Sequence, residues 1–244
     1  MDIKKEITNN RRAIKPSWVE LRTIKTDREL ELPRPEMFKH SEGERIVLDK
    51  EFPNIAQKTL QEVIASRRSL RQYKDQAMTK EEVSYLLWET SRVDFFKKSA
   101  VFRTIPTGGA TNSMETYVFL QNIKGIDSGL YHYHQDEHVL ILLDNSDDIK
   151  ERVNESLWTQ LRGANFTMYI TASPYRTEYK YSFTAHKMIA MEAGHAGQNL
   201  SLAAEVIDCG ACCLAAYRQD LADQVLGIDG VDEFTTYAIT VGKK

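Results

Sequence analysis

The stretch from Phe183 to Ile207, "FTAHKMIAMEAGHAGQNLSLAAEVI", constrains this chain most: it is rich in Ala, Met and Leu and long enough for one central buried helix. Its small residues permit close packing. A helix of that kind needs layers on its flanks, and a chain of 244 residues with 42% apolar content can supply one substantial core. The expectation is one main domain.

The remaining elements are read around that helix. The first fifty or so residues, through "ELELPRPEMFKHSEGERIVLDKEF", mix charge with proline without sustained periodicity. They predict an extended arm over residues 1–50, free to wrap a core or a partner, with the main domain over 51–244. From Asn54, Ile55, Leu60, Val63 and Ile64 mark a short amphipathic helix. Thr79 and Glu82 have capping-box spacing ahead of Val83, Leu86 and Leu87. "RTIPTGGATNSMETYVFLQN" is a loop entering a strand at Thr116–Leu120, and such a loop is a candidate ligand contact. "GLYHYHQDEHVLILL" reads as a hairpin, Ser146 with Asp147 and Asp148 as a helix start, and "NFTMYITAS" and "FTTYAITVGKK" as strands. Helices and strands alternate without a strict βαβ order, which favours an α+β layer fold over a doubly wound one.

Charge narrows the function classes. With 32 Lys and Arg against 35 Asp and Glu, the formal net charge is −3, so nothing draws the whole molecule to nucleic acid or an anionic membrane surface. No apolar run approaches the roughly 20 residues of a membrane span. The start, "MDIKKEITNNRRAIK", lacks the apolar core of a signal peptide, and the expected location is cytoplasmic. Cys209, Cys212 and Cys213 are a poor disulfide framework and suit a reducing compartment.

Local clusters carry the candidate chemistry. "SRRSLRQY", Ser66 to Tyr73, gathers three arginines; in an extended segment Arg67, Ser69 and Arg71 share a face. From spacing alone this is either a solvated surface or an anion site, and the terminal "GKK" either a loose end or two more cations. His132, His134 and His138 raise a metal reading, set against an ordinary sheet edge with no carboxylate or fourth ligand fixed by spacing; no metal is assigned. "CGACC" reads as small-residue packing. Lys180 beside Tyr181 is either a surface and packing pair or a proton donor and acceptor in a cleft.

In order and spacing, four stretches resemble the nitroreductase superfamily of FMN enzymes, and within it the SagB-type dehydrogenases related to azoline oxidases. They are "SRRSLRQY", "RTIPTGGATNSMETYVF", "KYSFTAHKMIAMEAGHAGQNLSLAAEVIDCGACCLAAY" and the closing "VGKK", covering about Gln57 to Gly242. The resemblance implies an α+β sandwich with a central mixed, mainly antiparallel sheet flanked by helices. It also implies an intertwined homodimer with FMN at the subunit interface. Arg67 and Ser69, with Arg68 beside them, would hold the phosphate and ribityl end, and Arg71 would face the N1/O2 edge. Lys243 and Lys244 would complete the phosphate site. Asn112 would meet the flavin from the other subunit, alongside Pro106, Thr107 and Gly108. Leu214, Ala215 and Ala216 match the turn whose backbone amide points at flavin N5. Lys180 and Tyr181 match the pair associated with azoline oxidation. The implied activity is hydride transfer between a small-molecule or peptide substrate and flavin N5. NAD(P)H-driven reduction of nitro compounds or quinones, and a flavin-binding subunit that does not catalyse, are the alternatives. The chain departs from the family pattern in ending on two lysines, where an arginine often follows the glycine, and in reading Thr111-Asn112-Ser113 where SagB-type relatives often carry basic or imidazole side chains.

Overall fold

The structure is a computed structural model that describes residues 2–97 and 100–244. Its helices are α1 (Ile3–Ile14), α2 (Trp18–Leu21), α3 (Leu60–Ser66), α4 (Lys80–Ser91), α5 (Ile149–Ser156), α6 (Tyr175–Tyr181), α7 (Ala185–Val206) and α8 (Gln219–Leu226). The strands are β1 (Arg45–Val47), β2 (Met78–Thr79), β3 (Val93–Lys97), β4 (Ala100–Arg103), β5 (Met114–Leu120), β6 (Ile123–Lys124), β7 (Gly129–His134), β8 (Val139–Asp144), β9 (Phe166–Ala172), β10 (Cys209–Leu214) and β11 (Phe234–Lys243). Seven strands form one sheet in the order β1-β8-β7-β5-β9-β11-β10, with antiparallel neighbours throughout. β2 and β6 make a short parallel pair, and β3 and β4 a separate hairpin.

Both faces of the sheet are covered, and the period-two alternation of its strands divides the core. Val118, Met168, Ile170, Ile239 and Val241 pack with α4 and α7, whereas Tyr117, Phe119, Tyr169 and Ala238 pack with α5 and α8. The expected α+β architecture is therefore present, with α7 on the central buried path its composition predicts. Ala196, Leu200, Ala203 and Ala204 of α7 are almost completely buried.

Three expectations are corrected. The arm is not extended throughout, because Ile3–Ile14 is helical: the Asp2 side chain accepts from the Lys4 and Lys5 N–H groups, while no residue of α1 is buried. Ile3, Ile7 and Ile14 recur at helical spacing but stay exposed, so the helix is held by its cap rather than by a core. The helix read from Asn54 begins only at Leu60, where Thr59 and Glu62 form a capping box; Val63 faces the core, but Ile64 is exposed. The helix read from Ser146 begins at Ile149, because the Ser146 hydroxyl bonds Asp144 and Asp148 in the preceding turn.

Candidate active site

β10 is an edge strand, and the arginine segment lies along it. Ser69 pairs in parallel with Ala211, and the Leu70 N–H donates to the Ala211 carbonyl at 3.0 Å. A cross-strand glycine pair, Gly210 opposite Gly242, makes this approach possible. A Cβ on Gly210 would sit 2.5 Å from Leu70, and one on Gly242 2.6 Å from the Tyr73 ring, so side chains there would push the segment off the sheet. The Tyr73 hydroxyl donates to the Leu70 carbonyl at 2.9 Å, and the Lys74 N–H to the Lys243 carbonyl at 3.0 Å.

Cations collect at this edge. Arg68 and Arg71 are exposed and Arg67 is half-buried; among the described residues none of the three has a carboxylate partner. Lys243 and Lys244 differ. Lys243 is buried and paired with Glu82, and Lys244 reaches Glu205 at 2.5 Å. Glu205, buried on α7, also accepts from the Ser66 hydroxyl at 2.9 Å. At the far end of β10, Leu214 is buried while Ala215 and Ala216 are exposed. Ala215 opens onto a cleft of about 560 Å³ walled by Ile189, Ala193, Gly194 and Tyr237, among others.

The second group forms on a different side of α7. Gly108 of the loop packs on Met188, and the Pro106 carbonyl lies 3.2 Å from His195 Nδ1. The Thr107 and Ser113 hydroxyls donate to Glu192 Oε2 at 2.9 and 3.1 Å. Burial raises the Glu192 carboxyl above its ordinary range, against the opposing pull of Arg103 and these hydroxyls. Asn112 is buried with φ of 53°; its Nδ2 donates to the Val101 carbonyl at 3.0 Å while its Oδ1 is left without a partner.

Lys180 and Tyr181, at the end of α6, converge on this loop. Lys180 Nζ donates to the Gly109 carbonyl at 2.6 Å. Gly109 has φ of +62°, and a Cβ there would stand 2.2 Å from the Tyr181 hydroxyl. That hydroxyl lies against bare glycine backbone.

The histidines have structural partners. His132 and His134 share a face of β7, as their spacing predicts, but both bind Ser41: its Oγ is 2.9 Å from His132 Nδ1, and its N–H donates to His134 Nε2 at 2.9 Å. His138 lies within 2.7 Å of the Tyr133 hydroxyl and packs on Trp88. Beside them, Glu115 receives Arg176 at 2.6 Å and the Lys39 N–H at 2.8 Å on one oxygen, with His132 3.6 Å from the other. Burial would raise the Glu115 carboxyl, yet His132, Arg176 and Arg103 together bring it down to about 2. Residues 36–41 are thus strapped to the sheet. Cys209 and Cys212 are buried on β10, and burial lifts the Cys209 thiol to about 12.

A sequence model described as the nitroreductase family matches residues 64–243. The chain belongs to the nitroreductase family. A family relative in Methanocaldococcus jannaschii, itself named among nitroreductases, is 26% identical over 198 residues, 81% of this chain and 97% of its own. A solved nitroreductase-named structure from Anabaena variabilis is 26% identical with a TM-score of 0.65, covering 75% of this chain; the match spans only 38% of that protein's length. A chain of the E. coli microcin synthetase McbBCD complex with truncated pro-MccB17 bound is 18% identical, TM-score 0.63, covering 82% and 77%. A Desulfovibrio desulfuricans structure named a nitroreductase in complex with FMN is 19% identical, TM-score 0.50, covering 77% and 87%.

Within this nitroreductase-family fold, the residues singled out in the sequence fall into two groups. Arg67 to Arg71, Lys243, Lys244 and Leu214 to Ala216 gather along β10. Pro106 to Asn112, Lys180 and Tyr181 gather on the far side of α7. The sequence reading missed Glu192 and Glu205, which anchor one group each. Their signal was the two acidic residues of a helix rich in Ala, Met and Leu, where a buried charge is costly without a partner.

Proposed function

We propose that this nitroreductase-family oxidoreductase binds FMN, with two copies of the chain completing each site. The observation that carries the reading is the β10 edge: Arg67, Arg68 and Arg71, which have no carboxylate partner among the described residues, at one end, and the exposed Ala215 and Ala216 beside an apolar cleft at the other. The donor set fits a phosphorylated heterocycle. Arg67, Arg68 and Ser69 would hold the phosphate and ribityl end, since forked guanidinium donors suit phosphate oxygens. Arg71 would offset charge gained by the ring on reduction. Lys243 and Lys244, already shared with Glu82 and Glu205, would contribute less than their formal charge.

The turn's cleft is walled by Ile189, Ala193 and Gly194, whereas the loop packs on Met188, Glu192 and His195. These are different faces of one helix. A ring seated at the turn is therefore remote from its own subunit's loop, which supports a homodimer in which Asn112, Pro106, Thr107 and Gly108 come from the other copy. Asn112 Oδ1, buried and unpartnered, marks that loop as waiting for a donor.

FMN, when bound, supplies the hydride chemistry. Tyr181 would hold or deliver a proton through its free hydroxyl. Lys180, tied to the Gly109 carbonyl, would orient the loop and keep a positive charge beside the substrate. This adjacent pair supports the SagB-type reading, oxidation of a substrate carbon–nitrogen ring by the flavin, over NAD(P)H-driven nitro or quinone reduction. To test the reading, the cofactor released by heat from purified protein is identified by mass. Recovery of about one FMN per subunit supports it; FAD or no flavin overturns it. Bleaching of the yellow protein by NAD(P)H would favour the reductase alternative.

A further inference from the structure

One carboxylate closes the loop that carries Asn112. Glu192 is 2% exposed on α7, and its Oε2 accepts from the Thr107 and Ser113 hydroxyls at 2.9 and 3.1 Å, so both ends of the 107–113 turn meet at a single oxygen. Thr107 Oγ1 also accepts the Asn112 N–H at 3.3 Å. A hydroxyl carries one proton. Because Thr107 gives that proton to Glu192, the lone pairs of its oxygen are left for the Asn112 N–H, and the carboxylate thereby sets the direction of both hydrogen bonds.

The turn needs such a hold. Gly109, Ala110 and Asn112 all have left-handed backbone, with φ of 62°, 54° and 53°, a region costly for most residues with a Cβ and tolerated best by glycine and asparagine. Thr111 ties the middle of the turn: its Oγ1 donates to the Gly108 carbonyl at 3.0 Å and lies 2.9 Å from the Thr177 hydroxyl. The Asn112 side chain is oriented by its Nδ2, which donates to the Val101 carbonyl, and its buried Oδ1 has no partner among the described residues. A strained backbone thus presents one buried acceptor, and Glu192 joins the two ends of that backbone.

We propose that Glu192 is a positioning residue for the flavin site: through Thr107 and Ser113 it holds Asn112 of one copy in place for the FMN bound at the β10 edge of the other. The inference rests on the reading that two copies complete each site. The action of Glu192 passes through two hydroxyls and the Asn112 backbone rather than through contact with the ring. A glutamine can serve in its place, since an amide oxygen accepts from both hydroxyls, whereas a leucine strands them.

The test compares wild type with Glu192→Leu and Glu192→Gln. Thr107→Val, which keeps the carboxylate and the side-chain shape, guards against a folding failure of Glu192→Leu. Hydrogen exchange over residues 107–113 in flavin-free protein reports on the turn itself, and titration of the same protein with FMN reports on the site. Exchange should be faster and FMN binding about tenfold weaker in Glu192→Leu and Thr107→Val, with Glu192→Gln close to wild type in both. Mixed dimers of one Glu192→Leu copy and one Arg67→Ala copy, isolated by two tags, add a readout that general damage to the fold would not give. If the loop serves the other copy, both defects fall in one site and the second site binds FMN with native affinity, giving one tight site per dimer. Native exchange and FMN affinity in both Glu192→Leu and Thr107→Val overturn the proposal, as does a Glu192→Gln variant as weak as Glu192→Leu. Faster exchange and weak FMN binding in the Leu and Val variants, with no tight site in the mixed dimers, overturn the two-copy reading and confine the effect of Glu192 to its own chain. If wild type takes up no FMN, the flavin reading fails, and the exchange data alone support or refute Glu192 as the holder of the turn.

Discussion

Glu192 and Glu205 lie on the same helix, about 20 Å apart by the helical rise of roughly 1.5 Å per residue, and each holds a different half of the candidate site. Glu192 accepts from Thr107 and Ser113 of the loop, and Glu205 from Ser66 and Lys244 beside the arginine segment. The helix α7 therefore acts as a spacer. It keeps the cation edge and the loop of the same chain apart.

Arg67→Ala is expected to weaken FMN binding by roughly ten- to hundredfold, the loss of a charge-assisted contact of about 1.5–3 kcal/mol. Fluorescence titration of the stripped protein with FMN measures this. Unchanged affinity would remove Arg67 from the phosphate site.

Lys180→Ala and Tyr181→Phe are expected to retain flavin and fold while turnover falls by about 10² to 10⁴, the range for a lost general acid or base. Azoline-containing peptides and nitroaromatics are the assays. Full turnover in both variants on the same substrate would return the pair to a packing role.

Gly109→Ala should displace Tyr181, because its new Cβ would lie 2.2 Å from the hydroxyl at a φ of +62°. The left-handed backbone alone costs about 1–2 kcal/mol with a side chain present. A lowered melting temperature is expected together with a turnover loss like that of Tyr181→Phe. A variant with native melting temperature and turnover would show that the loop moves freely.

The strap of residues 36–41 should weaken in acid. The Glu115 carboxyl, depressed to about 2, stabilises the folded state above its unfolded value and loses that contribution as pH falls toward 2. His134, brought down to about 4 by burial and then by His132 and His40, adds a loss between its unfolded value near 6.5 and about 4. Both signs agree. Denaturant unfolding should show stability falling from pH 7 to pH 3, and Arg176→Ala should cost about 3–5 kcal/mol at pH 7 by stranding a buried carboxylate. A smaller penalty for Arg176→Ala at pH 3 than at pH 7 is also expected, and an equal penalty at both would argue against the pairing.

The readily legible parts of this fold are those governed by neighbours in sequence. The Thr79–Glu82 capping box, the β7–β8 hairpin, β9, β11 and α7 all stand where local periodicity and caps place them. Elements whose buried residues are polar escaped that reading. α6 buries Arg176 and Thr177 rather than an apolar stripe, and α1 buries nothing. α8 had a readable stop in Gly227, whose left-handed conformation ends the helix. In the candidate site, residue types and their order were legible. The partners of Lys243 and Lys244 were not, because Glu82 and Glu205 are distant in the chain and meet them only through tertiary packing.

The arginine segment has a bearing on solubility as well as on binding. β10 is an open border of the seven-stranded sheet, touched by the segment at the Ser69–Ala211 bridge and the adjoining Leu70 hydrogen bond. Unpaired strand borders recruit other chains, and flanking charge is a common deterrent. Arg67, Arg68 and Arg71 therefore stand guard over that border whenever no anion neutralises them. Replacing all three at once would invite strand-to-strand aggregation, so the yield and dispersity of such a protein would report on colloidal behaviour before they reported on affinity.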